Sequence, residues 1–260
     1  MTASRRRFAE VVRSEPVDLG LACLLIGHEV DRSLDVDVSL AALDALAAAA
    51  RSSVPRSDVL AQASGLSAAL SGFAGGDFED VRSSLLHSVL VRRQGLPLLL
   101  SVVWLEVALR LDVPAYAVAL PGQVVVGIGD PEDEHVLVDT YAGGVLLTPA
   151  DVAARGGVVG VLSPLDLLLR LLTNVRALTT RQAPSLEVAR TRLWAVELSL
   201  LLPRHPLELR RERGELLVRV GSFVEGAQEL EVYALAVADV DEAAAEAARR
   251  EARMARAQLN

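Results

Sequence analysis

Lysine is absent from this chain: all 26 basic residues are arginines, set against 34 acidic ones for a formal net charge of −8. An acidic total with scattered arginines lacks the basic footprint of a nucleic-acid binder, so that class is set aside. The arginine, alanine, leucine and valine skew reads as the composition of a biased genome rather than as a mark of function. There is a single cysteine, Cys23, which excludes an internal disulfide and any multi-cysteine zinc site. Aromatic residues make up only 3% of a chain that is 52% hydrophobic, so the core must be built from Leu, Val and Ala, a choice that favours helices. Long apolar runs are missing too. The longest, Leu96–Leu109, is interrupted by Ser101 and Glu106 and falls short of the ~20 residues of a membrane span. The opening Met1–Glu10 carries Arg5, Arg6 and Arg7 with no apolar stretch behind them, unlike a signal peptide. The expectation is a cytoplasmic protein with no membrane or nucleic-acid partner, no cofactor and no metal.

What is present divides into three stretches, and 260 residues suffice for two or three packed units. Residues 1–72 read as a helical layer. Leu19, Leu21, Ala22, Leu24, Leu25 and Ile26 mark a nearly fully buried helix, Ser39 is placed to cap the next, and Pro55 separates a third from Asp58 onward. Residues 73–160 form the central unit. A helix is expected over Phe78–Arg93, stopped by Gly95, and Pro97 then starts an all-round apolar helix from Leu98 to Leu111. The runs Tyr116–Leu120, Val124–Ile128 and Val136–Val138 read as strands, with an acidic turn at 130–134 between the last two and Gly143-Gly144 closing the unit. Residues 161–260 are helical: a Leu165/Leu168/Leu169/Leu172 stripe, a helix over Leu186–Leu202, a pair over Leu207–Val220 and Phe223–Ala236, and a polar amphipathic segment over Val240–Leu259. Small residues at Gly214, Gly221 and Ala227 suit close helix packing, so the pair resembles one tetratricopeptide-like repeat.

The central stretch resembles the SirB family of transglutaminase-like proteins. The resemblance rests on Ser83-Ser84-Leu85-Leu86, Val89-Leu90, Arg92-Arg93, Gly95, Pro97, Trp104-Leu105, Val107-Ala108, Leu120-Pro121-Gly122-Gln123, Asp139-Thr140-Tyr141 and Gly143-Gly144. In the tail it continues at Leu169-Arg170-Leu171-Leu172, Asn174 and Arg210 to Gly214. It implies an α+β, mostly α fold: a helical layer, a small papain-like core with a short antiparallel sheet, and a tetratricopeptide-like tail. The departures bear on chemistry. The family's histidine after Pro-Gly is Gln123 here, its opening asparagine is Ser83, and its Asp-Pro-Phe is Asp139-Thr140-Tyr141. The cysteine that the wider fold carries at the start of the buried helix is replaced in this neighbourhood by Pro97 and Leu98.

A thiol–imidazole mechanism needs a nucleophile within reach of a base held by a third group. Asp139 has no histidine to orient, and Gln123 takes no proton near neutral pH. The site then reads as a pocket with Gln123, Asp139, Tyr141, Arg92 and Arg93 as polar anchors, or as side chains that satisfy one another and the backbone. Cys23 sits in an apolar helical run, where a lone cysteine behaves as a small hydrophobe; His28 lies five residues on, about 140° round the helix. His135, four residues before Asp139, shares its strand face and either supplies the missing imidazole or is an exposed strand start. His87 and His205 have no ligand partners at metal spacing. Ser101, inside the buried helix, is expected to bond its own helix carbonyl, and no G-x-S-x-G elbow is present for a serine hydrolase. The reading is a non-catalytic member of the fold acting through a protein or peptide partner. The alternative is a remodelled hydrolase or acyl-transfer enzyme using Asp139 with His135 or Cys23.

Overall fold

The structure, a computed structural model, describes residues 2–56 and 58–258; Met1, Ser57, Leu259 and Asn260 lie outside it, and with them the expected helix end at Leu259. By contact density the chain forms two compact units, Met1–Leu171 and Leu172–Asn260.

The first unit begins with α1 (Ala3–Val11), α2 (Leu19–Val30), α3 (Val36–Ala50) and α4 (Val59–Leu70). Aspartates cap three of these helices. Asp35, not Ser39, caps α3: its Oδ1 accepts from the N–H groups of Asp37 (3.0 Å) and Val38 (3.1 Å). Ser39 lies one turn inside and donates back to the Asp35 carbonyl at 3.1 Å. Aspartate and serine cap about equally well, and because Asp35 already takes the first free N–H groups the helix begins a turn earlier than the serine indicated.

The expected helix over Phe78–Arg93 is broken. Strand β1 (Ala74–Gly75) and a 3-10 turn over Val81–Ser84 precede α5 (Leu86–Arg92), and Leu85 is extended at φ −120°. The break has a backbone cause: the Leu96 N–H donates to the Ser83 carbonyl at 2.9 Å, holding that segment open. Arg93 ends α5 in the left-handed region, φ 54°, and leads into β2 (Gln94–Gly95), parallel to β1.

Helix α6 (Pro97–Arg110) starts on its proline as expected and is buried from Leu98 through Trp104 and again from Glu106 to Ala108. It packs against α2, α3, α5 and the sheet, which is why it is apolar on every side. The sheet follows as β3 (Ala115–Leu120), β4 (Gln123–Gly129), β5 (His135–Asp139), β6 (Val145–Leu147) and, after α7 (Pro149–Ala154), β7 (Gly160–Leu162). All five are antiparallel in the order β6-β5-β4-β3-β7. The unit therefore does not close at Gly143-Gly144: two edge strands and a short helix come after it. One sheet face buries Val118, Leu120, Val125 and Leu137 with Val152 of α7. The alternate residues, Val124, Val126, Ile128 and Val138, form the opposite face, toward α6.

The division between the units falls inside α8 (Pro164–Thr180). The second unit then holds α9 (Leu186–Ser199), α10 (Glu208–Arg219), α11 (Phe223–Val237) and α12 (Glu242–Ala257). Helices α10 and α11 meet on glycine. A Cβ on Gly214 would lie 2.7 Å from Leu230 and 3.1 Å from the Gly226 carbonyl, and one on Gly226 would lie 2.9 Å from the Gly214 carbonyl. Alanines do the same work between α11 and α12, where Ala227 meets Ala252 and Ala255. Arginine–carboxylate pairs lace the unit: Arg176 and Arg192 converge on Glu212, and Arg213 bridges Glu197 and Glu229.

Candidate functional site

The start of α6 is where the wider fold carries its nucleophile. Pro97 occupies the first helical position, Leu96 supplies no side-chain cap, and Leu98 and Leu99 are buried. None of these side chains attacks a carbonyl. One turn on, Ser101 does not bond its own helix. Its Oγ reaches the sheet instead, 3.3 Å from the Val124 carbonyl and 3.1 Å from Thr140 Oγ1. The polar side chains that meet between α6 and the sheet at this level are thus Ser101 and Thr140, both fully enclosed.

Asp139 lies on the opposite face. It is only 4% exposed, and its two oxygens are both engaged. Oδ1 accepts from the N–H groups of Tyr141 and Ala142, each at 3.1 Å, and closes the turn after β5. Oδ2 accepts from Arg155 Nη1 at 2.6 Å. Arg155, just beyond α7, went unnoticed in the sequence because nothing local marks it as a partner. Gln123 opens β4 directly across from Leu120, so alternation puts it on the α7 face with Asp139, and its Nε2 is buried with no partner. Gln123 and Asp139 therefore share one side of the sheet, and Pro97 lies on the other. The Gln123 and Asp139 side chains are therefore directed away from α6, the helix that Pro97 starts.

The remaining anchors divide off. Tyr141 turns onto β1, its hydroxyl 3.5 Å from the Gly76 carbonyl and its ring 5.8 Å from that of Phe78. Arg92 donates to Asp80 at 2.8 Å, and the Arg93 guanidinium sits 5.7 Å over the Phe73 ring. These contacts hold the loop of residues 72–80.

His135 is exposed, with Nδ1 3.0 Å from the Asp133 carbonyl and its ring edge-on to Tyr116. Four strand residues place it about 13 Å from Asp139 along β5, far outside hydrogen-bond reach. Cys23 is enclosed in α2, and burial, reinforced by the charges of Glu106 and Asp18, pushes its thiol well above the usual range. A thiol so placed stays protonated and inert. Burial also lowers the His87 pKa, opposed in part by Asp31. Among the described residues no three His, Cys, Asp or Glu side chains are grouped to hold a metal ion.

A charged chain that the sequence did not reveal runs beside Cys23. Glu106, buried on α6, accepts from the Gly20 N–H at 2.9 Å and from Arg110 Nη1 at 2.6 Å, and Arg110 Nε donates to Asp44 at 2.7 Å. The i,i+4 spacing of Glu106 and Arg110 was the available signal.

Residues 38–177 match the family described as the transglutaminase-like superfamily. Two UPF0162 proteins of Xylella fastidiosa, strains 9a5c and Temecula1, are 31% and 30% identical over 168 residues, covering 58% of this chain and 58% of each relative. A UPF0162 protein of Pseudomonas aeruginosa is 46% identical over 68 residues, 26% of this chain and 24% of that one. The chain thus spans about 58% of the length of the two Xylella relatives. Among solved structures, a crystal structure of menin that reveals the binding site for the Mixed Lineage Leukemia protein is similar in fold. Its TM-score is 0.51 at 14% identity, over 97% of this chain and 67% of that one.

Proposed function

The chain belongs to the transglutaminase-like superfamily, and we propose that it is a SirB-type, bacterial, cytoplasmic member that has kept the fold without the chemistry and acts by binding a protein or peptide. In this reading residues 1–72 support a catalytically silent core at 73–160, and the tetratricopeptide-like tail at 161–260 offers helix-pair grooves to a partner. The observation that carries it is the start of α6, where Pro97 stands in the place of the nucleophile while the one thiol of the chain is enclosed in α2. The commitment of Asp139 to Arg155 and the Tyr141–Ala142 turn supports the same reading, because it leaves no free carboxylate for a base. Menin, whose structure reveals a binding site for another protein, lends support as an analogy of fold alone.

The test is acyl-transfer and hydrolysis turnover on glutamine-containing peptides, amines and simple thioesters, read as ammonia or thiol release. The expected result is a rate equal to that of buffer. Turnover that the Asp139→Asn variant abolishes would contradict the proposal and favour an enzyme built on that carboxylate.

A further inference from the structure

The first unit contains an open cleft of about 840 Å³, bounded by the loop before α2, the outer face of α6, the start of β3 and the turn from β7 into α8. A volume of this size falls in the range of ligand-binding clefts. Its walls are largely apolar and include Leu105, Leu109, Leu162 and Leu167. Leu109 is 69% exposed, an unusual position for a leucine on the most buried helix of the unit.

Two further properties specify what would lie there. The first is one edge position of β3, Ala115, that β7 does not cover. The Gly129 N–H donates to the Pro114 carbonyl, so alternate β3 residues from Pro114 direct their backbone groups to β4. The residues between them face β7, as the bond from the Val159 N–H to the Ala119 carbonyl confirms. Pairing with β7 runs from Ala119↔Gly160 to Ala117↔Leu162 and stops. The next position in register opposite Ala115 is Pro164, which has no N–H and opens α8. Ser163 and Asp166 cap that helix reciprocally, at 3.0 Å and 3.2 Å, and lead the chain off the sheet. The Ala115 N–H and carbonyl are thereby left without a strand partner at the wall of the cleft.

The second property is charge. Asp18, Asp44 and Glu106 line the cleft with a single guanidinium, that of Arg110, so negative charge is in excess. Glu106 and Asp44 both hold Arg110, whereas Asp18 is exposed and accepts from the Leu21 N–H at 2.9 Å through one oxygen only.

We propose that this cleft takes an extended, apolar segment of a partner chain bearing arginine or lysine, added beside β3 at Ala115, with its apolar side chains against Leu105 and Leu109 and its cationic ones toward Asp18 and Asp44. Main-chain pairing supplies affinity in such additions, and the pockets on either side supply selectivity. The inference rests on the reading of the protein as a peptide binder and names the face and the chemistry.

The experiment is a calorimetric titration of the full chain with three blocked pentapeptides. One alternates arginine with apolar residues, the second replaces its arginines by glutamates, and the third is the first with every internal amide N-methylated. Saturable binding of the first is expected, with losses of about tenfold or more for the other two. The Leu109→Arg variant, a change at an exposed position that leaves the fold intact, is expected to lose binding by a similar factor, and Leu235→Arg on α11 to lose none. No saturation below about 1 mM, equal affinity for the glutamate peptide, or indifference to Leu109→Arg would overturn the assignment. Failure of the arginine peptide together with silence in the turnover assay removes the cleft and leaves the non-catalytic reading standing. Binding accompanied by turnover of the peptide removes that reading and keeps the cleft, as a substrate site.

Discussion

Asp139 is the residue at which structural and catalytic accounts part most clearly, and its exchange with Arg155 gives a quantitative test. The Asp139 side chain is 6% exposed and that of Arg155 is 35% exposed, so solvent can replace the carboxylate for the arginine but not the arginine for the carboxylate. In Arg155→Met the nearly buried carboxylate keeps its two backbone donors and loses its counter-ion. Breaking a fully buried pair costs about 3–5 kcal/mol, and partial hydration of this one lowers the expectation to about 2 kcal/mol. In Asp139→Asn the Oδ1 contacts to Tyr141 and Ala142 can persist, but an amide replaces the oxygen that faced the guanidinium, and the loss should be about 1–2 kcal/mol. With both changes made, neither an orphaned carboxylate nor an amide–guanidinium clash remains. The double variant should therefore be about 1 kcal/mol more stable than the sum of the singles implies. The assay is urea unfolding followed by the fluorescence of buried Trp104, in a Trp194→Phe background so that only the first unit reports. Coupling within error of zero, or a gain in stability for Asp139→Asn, would refute the reasoning. A gain is what a carboxylate held in place for catalysis at the expense of stability would show.

Three further outcomes follow from the packing. Gly127→Ala should destabilise the first unit by about 1–3 kcal/mol, because a Cβ there would lie 2.3 Å from the Tyr116 ring; thermal unfolding checks it, and no change would mean that the ring moves freely. Gly214→Ala should cost the second unit a similar amount, since the Gly226 carbonyl it meets is backbone and has little room to give; Trp194 fluorescence during urea unfolding reports it. Cys23 makes stability fall in alkali. Its folded pKa is raised, so above the unfolded value of about 8.5 only the unfolded chain ionises, and stability drops by about 1.4 kcal/mol per pH unit. Cys23→Ala should remove that slope in unfolding curves taken from pH 8 to pH 10, and an unchanged slope would assign it elsewhere.

The large elements were legible because each is marked locally. Proline at the first turn and apolar residues on every side define α6, and a Pro121-Gly122 turn with Gly122 at φ 79° defines the β3–β4 hairpin. The edge strands were not, since three-residue segments such as Val145–Leu147 and Gly160–Leu162 carry no period to read. The broken helix at Leu85 was hidden for a different reason: its cause, the bond from Leu96 to Ser83, depends on a chain reversal ten residues later. At the sheet, Val124, Val125 and Val126 are all apolar, so alternation alone does not reveal which face meets α6 or that Gln123 and Asp139 point away from it. The partner that fixes Asp139, Arg155, is separated from it by β6 and α7.

The most direct test of a fold kept without its nucleophile is the rate of Cys23 modification by a small aromatic disulfide in the native protein, followed from pH 6 to pH 10. There is only one thiol to observe. With Cys23 enclosed in α2, no reaction is expected at any of these pH values until denaturant is added, and one equivalent of released thiolate afterwards. Rapid native modification with an apparent pKa below about 8 would mean an exposed, activated thiolate and would contradict the account.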